Sequence, residues 1–103
     1  MAAESTLRIK DILARIPRGK VISYGAAAAF AGLPNGARQV VRVLHSSAEK
    51  ECLPWHRLLR KDGSIALPAG SGRELQKALL EEEGIEVSKD GKVDMERFGW
   101  AGY

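Results

Sequence analysis

Four consecutive alanines, at positions 26–29, constrain the fold more than any other stretch of this chain. Alanine is the strongest helix former, and an alanine-rich core suits close-packed short helices better than a β-sandwich. The run is bounded by helix punctuation. Ser23 is positioned as an N-cap for a helix over 24–31, and Gly32 ends it. Leu33-Pro34 reads as a turn, and Asn35 as the cap of a further helix reaching about Ser46. In that helix Ala37, Val40, Val41 and Leu44 form the expected inner face, and Arg38, Arg42 and His45 the outer one. Two helices joined by a short glycine-containing turn, the second with an arginine-lined face, read as a helix-turn-helix.

The flanking segments extend this into a mainly helical domain with a small β-hairpin. Ile9, Ile12, Leu13 and Ile16 fall on one helical face, so a helix is expected over 5–16, capped by Ser5 or Thr6 and stopped by Pro17. Arg18-Gly19-Lys20 is a turn, and Val21-Ile22 a short extended piece. Residues 47–56 are irregular. Leu58-Leu59 and Ile65-Ala66 flank Asp62-Gly63, a hairpin-turn signal, which gives the expected wing of a winged helix. Ser71 and Glu74 have capping-box spacing and open a helix carrying Leu75, Ala78 and Leu79 that ends at Gly84. Asp90-Gly91 marks a second hairpin, between 85–87 and 92–93. Phe98-Gly99-Trp100 is too aromatic for a free tail and is expected to dock on the body.

Length and composition are consistent with this. The 103 residues amount to one domain, 1–103, with 45% hydrophobic and 28% charged residues, ordinary values for a folded globular chain. No apolar run approaches the length of a membrane span, and the charged N-terminus lacks a signal-peptide core. One cysteine, Cys52, allows no internal disulfide; these features place the protein in the cytoplasm or nucleus. One Cys and two His make a poor ligand set for structural zinc, and no cofactor is expected. The net charge of +3 is unevenly spread. Residues 1–61 hold 11 Lys/Arg against 4 Asp/Glu, and residues 62–103 hold 5 against 9. A basic N-terminal part points to a polyanionic partner, most often nucleic acid.

Pro54-Trp55-His56-Arg57 is the most informative tetrapeptide: an indole, an imidazole and a guanidinium just before the wing. It stands third in an ordered set. Ile16-Pro17-Arg18-Gly19-Lys20-Val21-Ile22-Ser23-Tyr24-Gly25 comes first, and Pro34-Asn35-Gly36-Ala37-Arg38-Gln39-Val40 second. Leu79-Leu80-Glu81-Glu82-Glu83-Gly84 is last. This succession, over roughly 7–87, resembles the DNA-binding domain of the O6-alkylguanine-DNA alkyltransferases. Those repair enzymes carry Pro-Cys-His-Arg, and the cysteine accepts the alkyl group. With Trp55 at the cysteine position, the chain looks like the alkyltransferase-like proteins, which bind the same lesions without removing them.

The resemblance implies a role for each matching residue. Tyr24 crowds the 3′ phosphate of the target nucleotide and helps rotate it out. Arg38 enters the duplex and fills the gap left by the flipped base, and Gln39 and Arg42 belong to the same DNA-binding helix. Trp55 replaces the nucleophile at the floor of a lesion pocket shared with Tyr24 and His56. His56 and Glu83 match the relay that would activate the missing thiolate, and Arg57 is structural. The implied partners are double-stranded DNA containing O6-alkylguanine, gripped through its minor groove by a monomer, and nucleotide excision repair proteins. The chemistry of the residues agrees. A base modified at O6 is unreachable inside a stacked duplex. An indole offers an apolar wall for an alkyl group but no acceptor to compete with a thiolate.

Two features depart from the family pattern. Cys52 lies three residues before Trp55 and cannot take the nucleophile's place without a change of register. Some alkyltransferase-like proteins place an arginine in the wing loop, where this chain reads Leu67-Pro68-Ala69. Two other functions remain open on the residues: a helix-turn-helix transcription regulator, and a residual alkyltransferase using Cys52.

Overall fold

The computed structural model describes residues 4–102. Met1, Ala2, Ala3 and Tyr103, part of the single unit expected over 1–103, lie outside the described residues. Helix α1, Glu4–Arg15, buries Ile9, Ile12 and Leu13, and the chain leaves it at Pro17, which cannot continue a helix. A turn through Gly19 leads to strand β1, Ile22–Ser23. Ser23 then caps α2, Tyr24–Phe30, its Oγ accepting from the amide of Ala26 at 3.1 Å. Ala27, Ala28 and Ala31 are buried, and α2 packs on α3, Ala37–Ser47, with α1 against both.

The α2–α3 turn is tight enough to dictate its sequence. Gly36 is buried, and a Cβ there would lie 2.8 Å from the Leu33 Cβ and 3.0 Å from the Leu33 carbonyl oxygen. The expected Asn35 cap is not made. Gly36 occupies the N-cap position with no side-chain hydrogen bond, because the turn needs a residue without a side chain there. The inner face of α3 also differs from expectation: Val40, Val43 and Ser47 are buried, whereas Val41 is 37% exposed. The stripe is rotated toward Val43, which joins the core with Ile9 and Ile12 of α1 and lines a groove with Ser5 and Thr6.

The β-structure departs more sharply. Leu58-Leu59 forms strand β2, but it pairs in parallel with β1, Ile22 opposite Leu58 and Ser23 opposite Leu59, rather than in a hairpin with Ile65-Ala66. A two-stranded sheet puts successive residues on opposite faces. Ile22 and Leu58 therefore join the core under α1–α3, while Val21 and Leu59 join a second core with Ile65, Leu80, Ile85, Val93 and Phe98. The chain does reverse at Asp62-Gly63, where the Gly63 amide donates to the Arg60 carbonyl at 2.9 Å. The segment that follows pairs instead with residues 91–93: Ser64 bridges Lys92, Ile65 N–H donates to Gly91 O, and Val93 N–H to Gly63 O. A Cβ on Gly63 would stand 2.2 Å from the Val93 carbonyl oxygen, so glycine is what permits this approach. The second turn closes through Ser88 N–H to Lys92 O, without becoming a regular hairpin.

Helix α4, Arg73–Glu82, starts at Gly72 in the left-handed region rather than from a Ser71 cap, and Glu74 accepts from the Gly70 amide at 2.9 Å. Its buried residues are Gln76 and Leu80; Leu75, expected inside, is 57% exposed. A short helix α5, Met95–Phe98, capped by Asp94, precedes the tail. The tail docks as the aromatic content implied. Val21 N–H donates to Phe98 O and Trp100 N–H to Val21 O, extending the sheet edge, and the Trp100 ring meets Phe30 edge-on at 5.8 Å. Among the described residues no helix is long and apolar enough to cross a membrane.

Candidate nucleic-acid interface

Trp55, His56 and Arg57 form a single 3-10 turn between the end of α3 and β2. Its lower side is fixed from three directions. Glu83, just past α4, reaches under the turn and receives Arg57 Nη2 at 2.8 Å, Arg57 Nε at 3.0 Å and the Gly19 amide at 2.8 Å. It also bonds His56 Nε2 at 2.6 Å. Arg57 Nη1 donates onward to the Ile16 carbonyl at 2.7 Å. Gln76 spans from α4 and donates to the carbonyl oxygens of His56 and Leu58 at 2.9 and 3.0 Å.

Electrostatics sets the protonation here. Burial alone would raise the Glu83 pKa, but the Arg57 guanidinium, the Gly19 amide and His56 outweigh it and hold the carboxyl at about 2. Glu83 is therefore an ionised acceptor at neutral pH. It can only accept, so His56 Nε2 is the nitrogen that carries hydrogen. The imidazole is anchored by its own N–H and turned against the edge of the Trp55 ring, 6.1 Å between centroids at 81°.

Above the turn lies an open cleft of about 930 Å³. Tyr24, at the start of α2, lines it together with Trp55, and Val41, Leu44 and Leu67 supply further apolar wall. Burial pushes the Tyr24 hydroxyl pKa up against the opposing charge of Arg60, so the phenol stays neutral and able to donate. Cys52 also lines the cleft; it is exposed, in the left-handed region with φ 54°, on the loop before the 3-10 turn.

The sequence-selected residues thus divide into two groups. Tyr24, Trp55, His56 and Arg57 line one cleft, with Glu83 bonded beneath it. Arg38, Gln39 and Arg42 do not line it. All three are exposed on α3, Arg38 on the side turned away from buried Val40, Val43 and Ser47. Gln39 and Arg42 border a smaller groove of about 260 Å³ with Ser5 and Thr6 of α1. Pro68 is exposed beside Leu67, so the wing loop meets the cleft through a leucine. Sequence reasoning missed Gln76, whose only signal is its place four residues before Leu80 on one helical face. It also missed Arg60, Glu49 and Glu51, which become neighbours of the cleft only through the fold. Among the described residues no three His, Cys, Asp or Glu side chains come together to hold a metal ion.

Known proteins share both the sequence pattern and the fold. The family model for the 6-O-methylguanine DNA methyltransferase DNA-binding domain matches residues 4–85. An Escherichia coli protein named DNA base-flipping protein is 42% identical over 93 residues, covering 90% of this chain and 71% of its own. Alkyltransferase-like protein 1 of Schizosaccharomyces pombe is 33% identical over 98 residues, covering 90% of this chain and 91% of its own. The crystal structure of S. pombe Atl1 in complex with damaged DNA containing O6-carboxymethylguanine matches with a TM-score of 0.86 at 31% identity, over 99% of this chain and all of that one.

Proposed function

Because the chain belongs to the family of the 6-O-methylguanine DNA methyltransferase DNA-binding domain, we propose that it is a base-flipping sensor of O6-alkylguanine in duplex DNA that leaves the alkyl group in place. One observation carries this reading: the cleft residue next to the anchored His56, on the same 3-10 turn, is the Trp55 indole, whereas the one thiol lining the cleft, Cys52, stands on the loop before that turn. Alkyl transfer needs a nucleophile that keeps the alkyl group in a stable covalent bond. An indole offers surface for stacking and for a small apolar substituent, and nothing for the alkyl group to move to.

The parts fall into an order of events. Exposed arginines draw the protein to the phosphates. Tyr24, neutral and at the N-terminus of α2, presses on the backbone beside the target nucleotide. The nucleotide turns into the cleft and lies against Trp55, while Arg38 takes the vacated place in the stack. Gln39 and Arg42 hold the strand along α3. His56, Arg57 and Glu83 are the brace that fixes the angle of Trp55, and carry no proton to or from the lesion. The protein works as a monomer where DNA is kept, in a bacterial cytoplasm or a nucleus. The marked site passes to nucleotide excision repair proteins, as resemblance to the alkyltransferase-like proteins implies.

The test is a binding titration on one duplex with and without O6-methylguanine at fixed salt, followed by mass spectrometry of the protein. Tighter binding to the damaged duplex with an unchanged protein mass is the expected result. A methyl group gained by the protein would make it an alkyltransferase acting through Cys52. Equal binding to both duplexes, with preference among undamaged sequences, would make it a helix-turn-helix regulator.

The electrostatic step has its own signature. If Arg38, Arg42 and Arg60 each neutralise one phosphate, the logarithm of the affinity for undamaged duplex falls against that of salt with a slope of about −3. Filter binding or anisotropy between 50 and ~200 mM salt measures it, and a slope near zero contradicts the assignment of this face to DNA.

A further inference from the structure

We infer that the cleft selects among O6-substituents by charge, accepting neutral groups and disfavouring anionic ones, with Glu49 as the principal discriminating residue. This rests on the flipping reading above and adds to it the chemical class of lesion. The charged and titratable groups lining the cleft are Tyr24, His45, Glu49, Glu51, Cys52, His56 and Arg57. The one guanidinium among them is already committed: Arg57 donates to both Glu83 oxygens and to the Ile16 carbonyl, and its charge is cancelled by Glu83. Glu51 is paired with Lys10 at 2.5 Å, which draws off much of its field. Glu49 is exposed on the cleft wall, and the ion pairs formed by the described residues do not include it.

The lining therefore presents an unneutralised carboxylate and no uncommitted guanidinium or ammonium to a substituent projecting from a base stacked on Trp55; Arg60 and Lys50 act from outside the lining, and their charges are shared with Asp62 and Glu51. The wing loop reinforces this, since it contributes Leu67 rather than a basic side chain. A methyl or longer alkyl group gains contact with Leu44, Leu67 and Trp55. A carboxymethyl group brings a second negative charge into a half-solvated cleft that already holds one, and like charges there repel more than in open water. The selectivity follows although a relative is seen bound to DNA carrying O6-carboxymethylguanine.

The experiment compares four otherwise identical duplexes: undamaged, O6-methylguanine, O6-carboxymethylguanine and its neutral isostere O6-carbamoylmethylguanine. The last two differ in charge but hardly in size. The wild-type protein is expected to bind the carboxymethyl duplex roughly three- to tenfold more weakly than the carbamoylmethyl duplex at low salt, the range that one like charge several ångströms away produces. Glu49→Gln is expected to bring that ratio toward one, and Glu49→Gln combined with Glu51→Gln to bring it further. Because Glu49 is exposed, the substitution is not expected to unfold the protein, and far-ultraviolet circular dichroism checks this. Equal affinity of the wild type for the two isosteres, both above undamaged DNA, overturns the charge selectivity alone. An unchanged ratio in the double variant removes the glutamates as its cause. If all three damaged duplexes bind no better than the undamaged one, the flipping reading itself fails, and this inference with it.

Discussion

Glu83→Gln is expected to lower the thermal midpoint by about 12–40 °C and to flatten the acid dependence of stability. The Glu83 side chain is 5% exposed and the Arg57 side chain 16%. Removing the carboxylate leaves a nearly buried guanidinium without its counter-charge, a change that costs about 3–5 kcal/mol. In a domain of this size each kcal/mol moves the midpoint by about 4–8 °C. Linkage gives a figure of the same order. A carboxyl held at about 2 when folded, against 4.5 when free, contributes about 3 kcal/mol. The folded value is the lower one, so this stability is fully present above pH 4.5 and is lost as pH falls toward 2. The wild type should therefore destabilise steeply in that window, while Glu83→Gln, already weakened, should change much less. Urea midpoints at pH 7, 4 and ~2.5 measure both effects. A variant within 2 °C of wild type (~0.5 kcal/mol or less) would show that the network under Trp55 is ornamental.

The same substitution bears on function through position rather than chemistry. His56 donates to Glu83, and Trp55 stands on the turn that both residues hold. In an alkyltransferase this pair would serve a thiolate. Here it serves a ring, and what it provides is a fixed angle at the floor of the cleft. Loss of lesion binding in Glu83→Gln below its unfolding temperature would be a loss of that angle.

How much of this was legible in the sequence differs by element, for physical reasons. The α1 stripe was readable because Ile9, Ile12, Leu13 and Ile16 repeat at helical period and all are buried. The start of α2 was readable because its cap is local, a Ser23 hydroxyl on an amide three residues on. The pairing of β2 was not. Leu58-Leu59 is short, apolar and near a hairpin turn, so local chemistry favours its sequence neighbour, whereas its partner lies 36 residues away. Nothing in a two-residue strand encodes that choice. It is made by the two cores that the sheet separates, which exist only once α1–α3 and α4 are assembled. The inner face of α4 failed for a related reason. Gln76 is polar, and a hydrophobic stripe drawn through Leu75, Ala78 and Leu79 passes it by. It is buried because its amide reaches the carbonyls of His56 and Leu58.

The site was legible in a different way. Trp55, Tyr24 and His56 were selected by an ordered set of motifs, and they do line one cleft. The residues that tune that cleft carry no motif. Glu49 and Leu67 are ordinary loop residues until the end of α3 and the wing loop converge on the same space.

Arg38→Ala is expected to remove most of the preference for damaged DNA while leaving undamaged binding only a few-fold weaker. Extrusion of a base costs a few kcal/mol in stacking and pairing, and less for a modified base that pairs poorly. The extruded state then contains a gap in the stack. A guanidinium plane inserted there recovers part of the lost stacking, and such contacts are worth about 1–3 kcal/mol by alanine substitution. That is about five- to 150-fold in the ratio of affinities. Arg38 is suited to this by its place on α3: exposed, uncommitted to the cleft, and on the face opposite the buried side of the helix. Arg42, one turn later, borders the groove against Ser5 and Thr6 and lies further toward α1. Its removal should weaken damaged and undamaged duplexes alike, as loss of a phosphate contact does. The pair of variants separates insertion from attraction, because both lose one positive charge and only one should lose discrimination. If Arg38→Ala lowers both affinities together and keeps their ratio, Arg38 is a phosphate contact, and the gap in the stack is filled by another residue.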